Sequence, residues 1–106
     1  MDRRIKTAVL LIHQNPQRPP SKKELCRLVN LSSSRFHELF KAETRKCPAF
    51  YVKARRMGVA KVLLETTFLS VKEVAAKAGF NDLSHFVRDF KKCYGLTPRD
   101  YRASLS

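Results

Sequence analysis

The chain has 106 residues, 43% of them hydrophobic, with three glycines and five prolines. That is enough sequence for one compact domain or two very small units sharing an interface, and too apolar for a disordered tail. Twenty-two Lys and Arg against 9 Asp and Glu leave a net charge of +13 and a pI near 10.3, a surplus that a polyphosphate lattice compensates more readily than any other common partner of a soluble domain.

No apolar run approaches the roughly 20 residues that span a bilayer, and no cleavage site follows the N-terminus, so the sequence predicts a cytoplasmic protein without membrane contact. Cys26, Cys47 and Cys93 are odd in number and widely spaced. His13, His37 and His85 form no i, i+4 pair. Neither a disulfide framework, a metal site nor a cofactor is expected.

Ile5, Ala8, Val9 and Ile12 recur at helical spacing and predict an amphipathic first helix that stops at Asn15-Pro16. Pro16 to Pro20 reads as a stiff connector. Ser21-Lys22-Lys23-Glu24 has the form of a capping box, the serine accepting from an orphan amide while the glutamate reaches back to the cap. Leu25, Leu28 and Val29 continue that helix, and Asn30 tolerates the left-handed backbone that ends one. Ser32-Ser33-Ser34 then opens a second helix whose buried stripe is Phe36, Leu39 and Phe40. Residues 21–42 therefore read as helix, tight turn and helix.

Residues 48–66 predict a longer helix, with Pro48 suited to its first turn. Met57, Ala60, Leu63 and Leu64 make one apolar stripe and Val52, Val59 and Val62 a second, so partners are expected on two sides. At 1.5 Å per residue it is roughly 27 Å long, near the roughly 34 Å between successive major-groove turns. Arg55, Arg56 and Lys61 on it read as exposed solubilising charge.

Residues 70–93 repeat the earlier pattern. Ser70-Val71-Lys72-Glu73 is a second capping box, Val71, Val74, Ala75 and Ala78 a second apolar stripe, and Gly79 a second stop. After Phe80, Asn81-Asp82 opens a helix carrying Phe86, Phe90 and Tyr94. Thr97-Pro98-Arg99-Asp100 reads as the cap, N1 proline and acidic third position of a last helix over 97–104. Phe36, Phe40, Lys41, Pro48 and Tyr51 meet Phe86, Phe90, Lys91, Pro98 and Tyr101 at an offset of 50, while Ser21, Lys23 and Glu24 meet Ser70, Lys72 and Glu73 at 49. The fold expected is all-α: seven helices, no strand, and two homeodomain-like helix-turn-helix subdomains joined by a long central helix, with their cationic sides turned the same way.

The run Val74-Ala75-Ala76-Lys77-Ala78-Gly79-Phe80, followed by Ser84-His85-Phe86, Phe90-Lys91-Lys92, Gly95-Leu96-Thr97-Pro98 and Tyr101-Arg102, resembles the signature of the AraC/XylS family of bacterial transcription regulators. The first copy is similar to that family's weaker N-terminal unit through Leu25, Val29, Leu31-Ser32, Phe36, Leu39-Phe40-Lys41, Glu43-Thr44 and Tyr51. The resemblance covers residues 3 to 104. It implies a DNA-binding domain that recognises promoters, usually as an activator contacting RNA polymerase. Arg45 stands where the family often has glycine, a departure expected to shift the end of the third helix. The length leaves no room for a separate effector or dimerisation domain, which suggests either a self-contained regulator or the C-terminal domain of a longer sensor; Met1 so near the first helix favours a trimmed piece.

Setting aside the core stripes leaves Ser34, Arg35, His37, Glu38 and Lys41 facing outward on one candidate reading helix, and Leu83, Ser84, Val87, Arg88 and Lys91 on the other. The resemblance puts Ser34, His37 and Glu38 where base contacts are usual. Glu38 suits a cytosine amino group, and His37 a guanine or a phosphate. Arg88 can donate two bonds to guanine O6 and N7, or pair with Asp82 or Asp89. Leu83 and Val87, grouped with Ser84 as base readers, either touch thymine methyl groups or complete the Phe86 and Phe90 stripe. Ser32, Arg35, Lys41, Asn81, His85, Lys91 and Lys92 are the candidates for phosphate. A monomer on an asymmetric duplex site of about 20 base pairs follows.

Three rival classes fit less of this pattern. A helical interaction module would dock an acidic partner protein with the same basic face. An enzyme would need a nucleophilic cysteine, yet Cys26 lies amid Leu25 and Val29 and Cys93 beside Tyr94, as packing residues do. An RNA platform would place aromatics on exposed faces, and no tryptophan is available.

Overall fold

Among the described residues, six of seven helices begin at a polar side chain that closes one of their orphan amides, and that device, more than helix propensity, sets where the elements start. The computed structural model describes residues 1–15, 18 and 20–105. It contains α1 (Arg3–Gln14), α2 (Lys22–Val29), α3 (Ser33–Thr44), α4 (Pro48–Thr66), α5 (Val71–Lys77), α6 (Leu83–Tyr94) and α7 (Pro98–Ala103), with no strand among the described residues. The caps are Asp2, Ser21, Ser32, Ser70, Asp82 and Thr97, each worth about 1 kcal/mol. Of the connector expected at Pro16 to Pro20, Pro16, Gln17 and Pro19 lie outside the described residues. No described helix is long and apolar enough to cross a membrane.

The two capping boxes differ. At α5 the reciprocal pair is complete, with the Glu73 amide donating to Ser70 Oγ at 3.1 Å and the Ser70 amide donating to Glu73 Oε1 at 3.0 Å. At α2 the Glu24 amide donates to Ser21 Oγ at 3.1 Å, but the Glu24 carboxylate accepts from the Ser21 hydroxyl at 3.3 Å. The box expected there is thus only half formed.

Helix ends show the repeat as clearly. Asn30 (φ 58°) and Gly79 (φ 94°) turn the chain after the first helix of each copy; Arg45 (φ 66°) and Gly95 (φ 84°) do so after the second. Arg45 takes the left-handed conformation in place of glycine, and its amide donates to Lys41 O at 2.7 Å as that of Gly95 does to Lys91 O. The expected shift in the end of α3 does not occur: α3 and α6 are 12 residues each. The hydrogen-bonded turn holds the backbone where an L-residue would rather not be.

The chain divides into two compact units between Arg55 and Arg56. In the first, Ile5, Ala8 and Ile12 of α1, Leu25, Cys26 and Val29 of α2, and Phe36 and Phe40 of α3 form the core, with Tyr51 and Val52 packed against it. In the second, Met57, Ala60 and Leu64 of α4, Val74, Ala75 and Ala78 around α5, and Phe86 and Phe90 of α6 do the same, with Tyr94 and Tyr101 against them. Several sequence expectations change. Leu28 is 64% exposed, whereas Cys26 is buried beside Leu25 and Val29 as expected. The second stripe of α4 does not exist as a stripe, since Val62 is 53% exposed, Val52 joins the first core and Val59 the second. The helix is apolar on several sides because successive stretches of it serve different cores. Cys93 is exposed rather than packed.

Why α4 is so long follows from comparing the units. Its residues 48–53 stand 50 positions before the whole of α7, and its residues 55–66 stand 52 positions after the whole of α1. Arg3-Arg4-Ile5, Ala8 and Leu11 correspond to Arg55-Arg56-Met57, Ala60 and Leu63. The last helix of one copy and the first helix of the next run together through a single residue, Ala54. The repeat therefore extends to α1 and the body of α4.

Equivalent tyrosines brace equivalent helices. The Tyr51 hydroxyl pairs with His13 Nε2 at 2.9 Å on α1, and the Tyr101 hydroxyl donates to the Glu65 carboxylate on α4, a bond that raises the tyrosine's pKa. The second unit adds Arg102, whose Nε donates to Leu64 O at 3.2 Å and whose two Nη atoms donate to Thr67 O and Leu69 O. One guanidinium thereby ties the Leu64 carbonyl in the last turn of α4 to two carbonyls of the segment that follows it.

Candidate nucleic-acid interface

The aromatic pairs Phe36–Phe40 and Phe86–Phe90, with ring centroids 5.6 and 5.8 Å apart, pin one side of α3 and of α6 to their cores. Their burial fixes by helical geometry which side chains point away. Residues 32–50 and 82–100 share the same sequence of buried, half-buried and exposed positions, so each unit offers its outward face in the same frame. On α3, Ser34, Arg35, Glu38 and Lys41 are exposed and His37 is half-buried; on α6, Ser84, His85, Arg88, Lys91 and Lys92 are exposed. Each set spans two to three turns of a single helix.

Leu83 and Val87 part company. Leu83 is 42% exposed, whereas Val87 packs against the second core in the place that His37 takes in the first unit. Ser32 is exposed and caps α3 through the Arg35 amide at 3.2 Å. Asn81 is exposed but does not cap α6, a task done by Asp82.

The electrostatics of the two faces differ in a way that single residues do not reveal. On α3, Arg35 Nη1 lies 3.5 Å from Glu38 Oε2, with side chains 58% and 68% exposed. On α6, Asp82 Oδ1 accepts from the His85 amide at 3.0 Å and Asp82 Oδ2 lies 3.6 Å from His85 Nδ1. The contact from the His85 amide above all, with a smaller effect from the Arg88 charge, holds the Asp82 carboxyl below the usual carboxylate range. A carboxylate thus occupies the N-terminus of α6, where the helix dipole would otherwise favour an incoming phosphate, while the neutral Ser32 leaves that of α3 available. Both pairings are i, i+3 and were visible in the sequence as spacing.

The basic residues on α4 are not the exposed charge that the sequence suggested. Lys61 is half-buried with its ammonium 5.3 Å from the Tyr94 ring centroid. Arg55 and Arg56 are half-buried, and their Nε atoms are shut from solvent without a hydrogen-bond partner. The arginine stems at these positions belong to packing.

Residues 25–104 match the helix-turn-helix domain family. An HTH-type transcriptional regulator of Haemophilus influenzae is 31% identical over 105 residues, 99% of this chain and 35% of its own length. The arabinose operon regulatory protein of Escherichia coli is 37% identical over 75 residues, 71% of this chain and 26% of its own. The C-terminal domain of the two-component response regulator yesN from Fusobacterium nucleatum superposes with a TM-score of 0.78 at 33% identity, covering 92% of this chain and 93% of that one. The DNA-binding domain of AdpA, solved in complex with a target DNA, gives a TM-score of 0.89 at 26% identity over 94% of this chain and 90% of its own. The chain spans about a third of the length of the curated relatives it matches.

Proposed function

Because the chain belongs to the AraC-type helix-turn-helix family of DNA-binding transcription regulators, and not to a family of enzymes, we propose that it reads a promoter duplex through both of its units. The observation that carries this is the pair of outward faces set in one burial frame on α3 and α6. Ser34, His37 and Glu38 read bases from the first; Leu83, Ser84, Val87 and Arg88 read them from the second, with Val87 limited to what its half-buried side chain can reach. The AdpA domain, similar over nearly the whole chain, was solved on duplex DNA, which supports the same use here.

Phosphate contacts come from Ser32, Lys41, Asn81, Lys91 and Lys92, which position the protein without discriminating sequence. Arg35 and His85 stand apart from them, each already facing a carboxylate on its own helix. One monomeric chain occupies an asymmetric site of about 20 base pairs, one major-groove turn for each unit. It works in the bacterial cytoplasm and activates transcription through contact with RNA polymerase.

Selection of bound sequences from a random duplex library, followed by footprinting, tests the reading. The expected outcome is an asymmetric consensus in two blocks protected by one chain. Recovery of no consensus, or of a short palindrome protected by a dimer, refutes it.

A further inference from the structure

The reading turn of α3 carries an anion, Glu38, that must approach a polyanion. A carboxylate brought near the phosphates of a duplex is repelled, and the groove's walls strengthen that repulsion. Arg35 sits one turn back with its guanidinium 3.5 Å from that carboxylate. It stands on the third residue of the helix, where the dipole disfavours a cation and offsets part of the small gain of an i, i+3 pair. The second unit also has one i, i+3 contact at the start of its reading helix, but between Asp82 and His85, one step earlier than the Arg35 and Glu38 pair. Glu38 corresponds to Arg88, Arg35 to His85 and Ser32 to Asp82, so the carboxylate and the guanidinium lie at opposite ends of that stretch in the two units. With histidine neutral, both triplets carry no net charge, within a chain whose surplus is +13.

We propose that Arg35 is a positioning residue for base recognition: it remains paired with Glu38 in the groove, offsets its charge and aims its carboxylate, and is not a phosphate clamp. The inference rests on the proposed role of Glu38 in reading the duplex. Neutral reading turns also lower affinity for arbitrary sequence at the point where discrimination is made, leaving non-specific attraction to the lysines further along each helix.

Arg35→Gln, Arg35→Lys, Glu38→Gln and the double variant Arg35→Gln/Glu38→Gln, each checked for an unchanged unfolding midpoint, are titrated with the selected duplex and with a scrambled one across a range of salt. Arg35→Gln should weaken the selected duplex about tenfold and the scrambled one less than about threefold, with no change in the salt slope. Arg35→Lys should recover most of the loss, since a single contact is involved. In the Glu38→Gln background, Arg35→Gln should have no further effect on selectivity. Equal losses on both duplexes with the slope reduced by about 0.9, or the same loss in both backgrounds, would identify a phosphate contact and overturn the proposal. Unaltered selectivity in Glu38→Gln alone overturns it by a different route, through the role of Glu38, and a wild type that does not distinguish the duplexes refutes the proposed function itself.

Discussion

Replacing Arg45 with glycine should stabilise the first unit. Arg45 holds φ 66° and ψ 11°, a region that costs an L-residue about 1–2 kcal/mol. Glycine removes that strain but widens the unfolded ensemble, which returns about 0.5–1 kcal/mol, so the net gain is about 0.5–1 kcal/mol. The same position in the second unit supplies the opposite experiment. Gly95 has φ 84°, and a Cβ built on it meets nothing within 4 Å, so Gly95→Ala adds conformational strain with no steric clash and should cost about 1 kcal/mol. Urea unfolding at fixed salt reads both changes as shifts in midpoint at constant slope, and thermal melts should move by about 4–8 °C per kcal/mol for a domain of this size. High salt removes the part due to the lost arginine charge. If Arg45→Gly lowers the midpoint while Gly95→Ala leaves it unmoved, backbone conformation does not govern these helix ends and the argument fails.

Arg88→Ala should weaken the selected duplex by about 1–3 kcal/mol and relax preference at one base pair; equal loss on scrambled DNA in a binding titration would demote it to a phosphate contact. Arg102→Ala should cost about 2–3 kcal/mol of unfolding free energy, because charged donors to three carbonyls are lost together. Arg102→Lys should recover less than half, a point ammonium being unable to span them; full recovery would show that charge alone matters. Glu73 and Asp82 have carboxyls held below their ordinary values chiefly by backbone amides that donate to them. Their stabilisation is therefore complete above the ordinary carboxylate pKa of about 4 and disappears as pH falls through the lower folded values. Urea midpoints of Glu73→Gln and Asp82→Asn should converge on the wild type as pH drops from about 6 to 2; parallel curves would show that the caps do not titrate with folding.

Much of this fold is legible because its signals are local. Ser70 with Glu73, Thr97 with Pro98, and the Phe36 and Phe40 stripe each specify an element within one or two turns. The outward faces of α3 and α6 follow from subtracting those stripes, so the candidate reading residues were open to inference as well. Burial along the long helix was harder, because Val52, Val59 and Val62 have the same chemistry and only the position of each core decides which of them it covers. Leu28 and Cys26 flank the line of Leu25 and Val29 on opposite sides of α2, where spacing allows either to face inward, and only Cys26 does so. Left-handed Arg45 was unreadable for a related reason: the cost at one residue is small beside the gain from ending α3 in register with its core. The pairing of Arg35 with Glu38 was present as a spacing, but a spacing says only that two charges can meet.

Ala54 marks a coupling that could be used again. Since the six residues before it reproduce α7 and the twelve after it reproduce α1, the module is one whose tail, extended by one residue, is the correct lead-in to another copy of its head. A third bead could be strung onto the chain by carrying α7 past Ala103 into a further Arg-Arg helix, leaving both existing cores with every residue they now use. Each bead added in this way would bring one more reading helix, so the number of base pairs recognised becomes a matter of how many times the phrase is repeated.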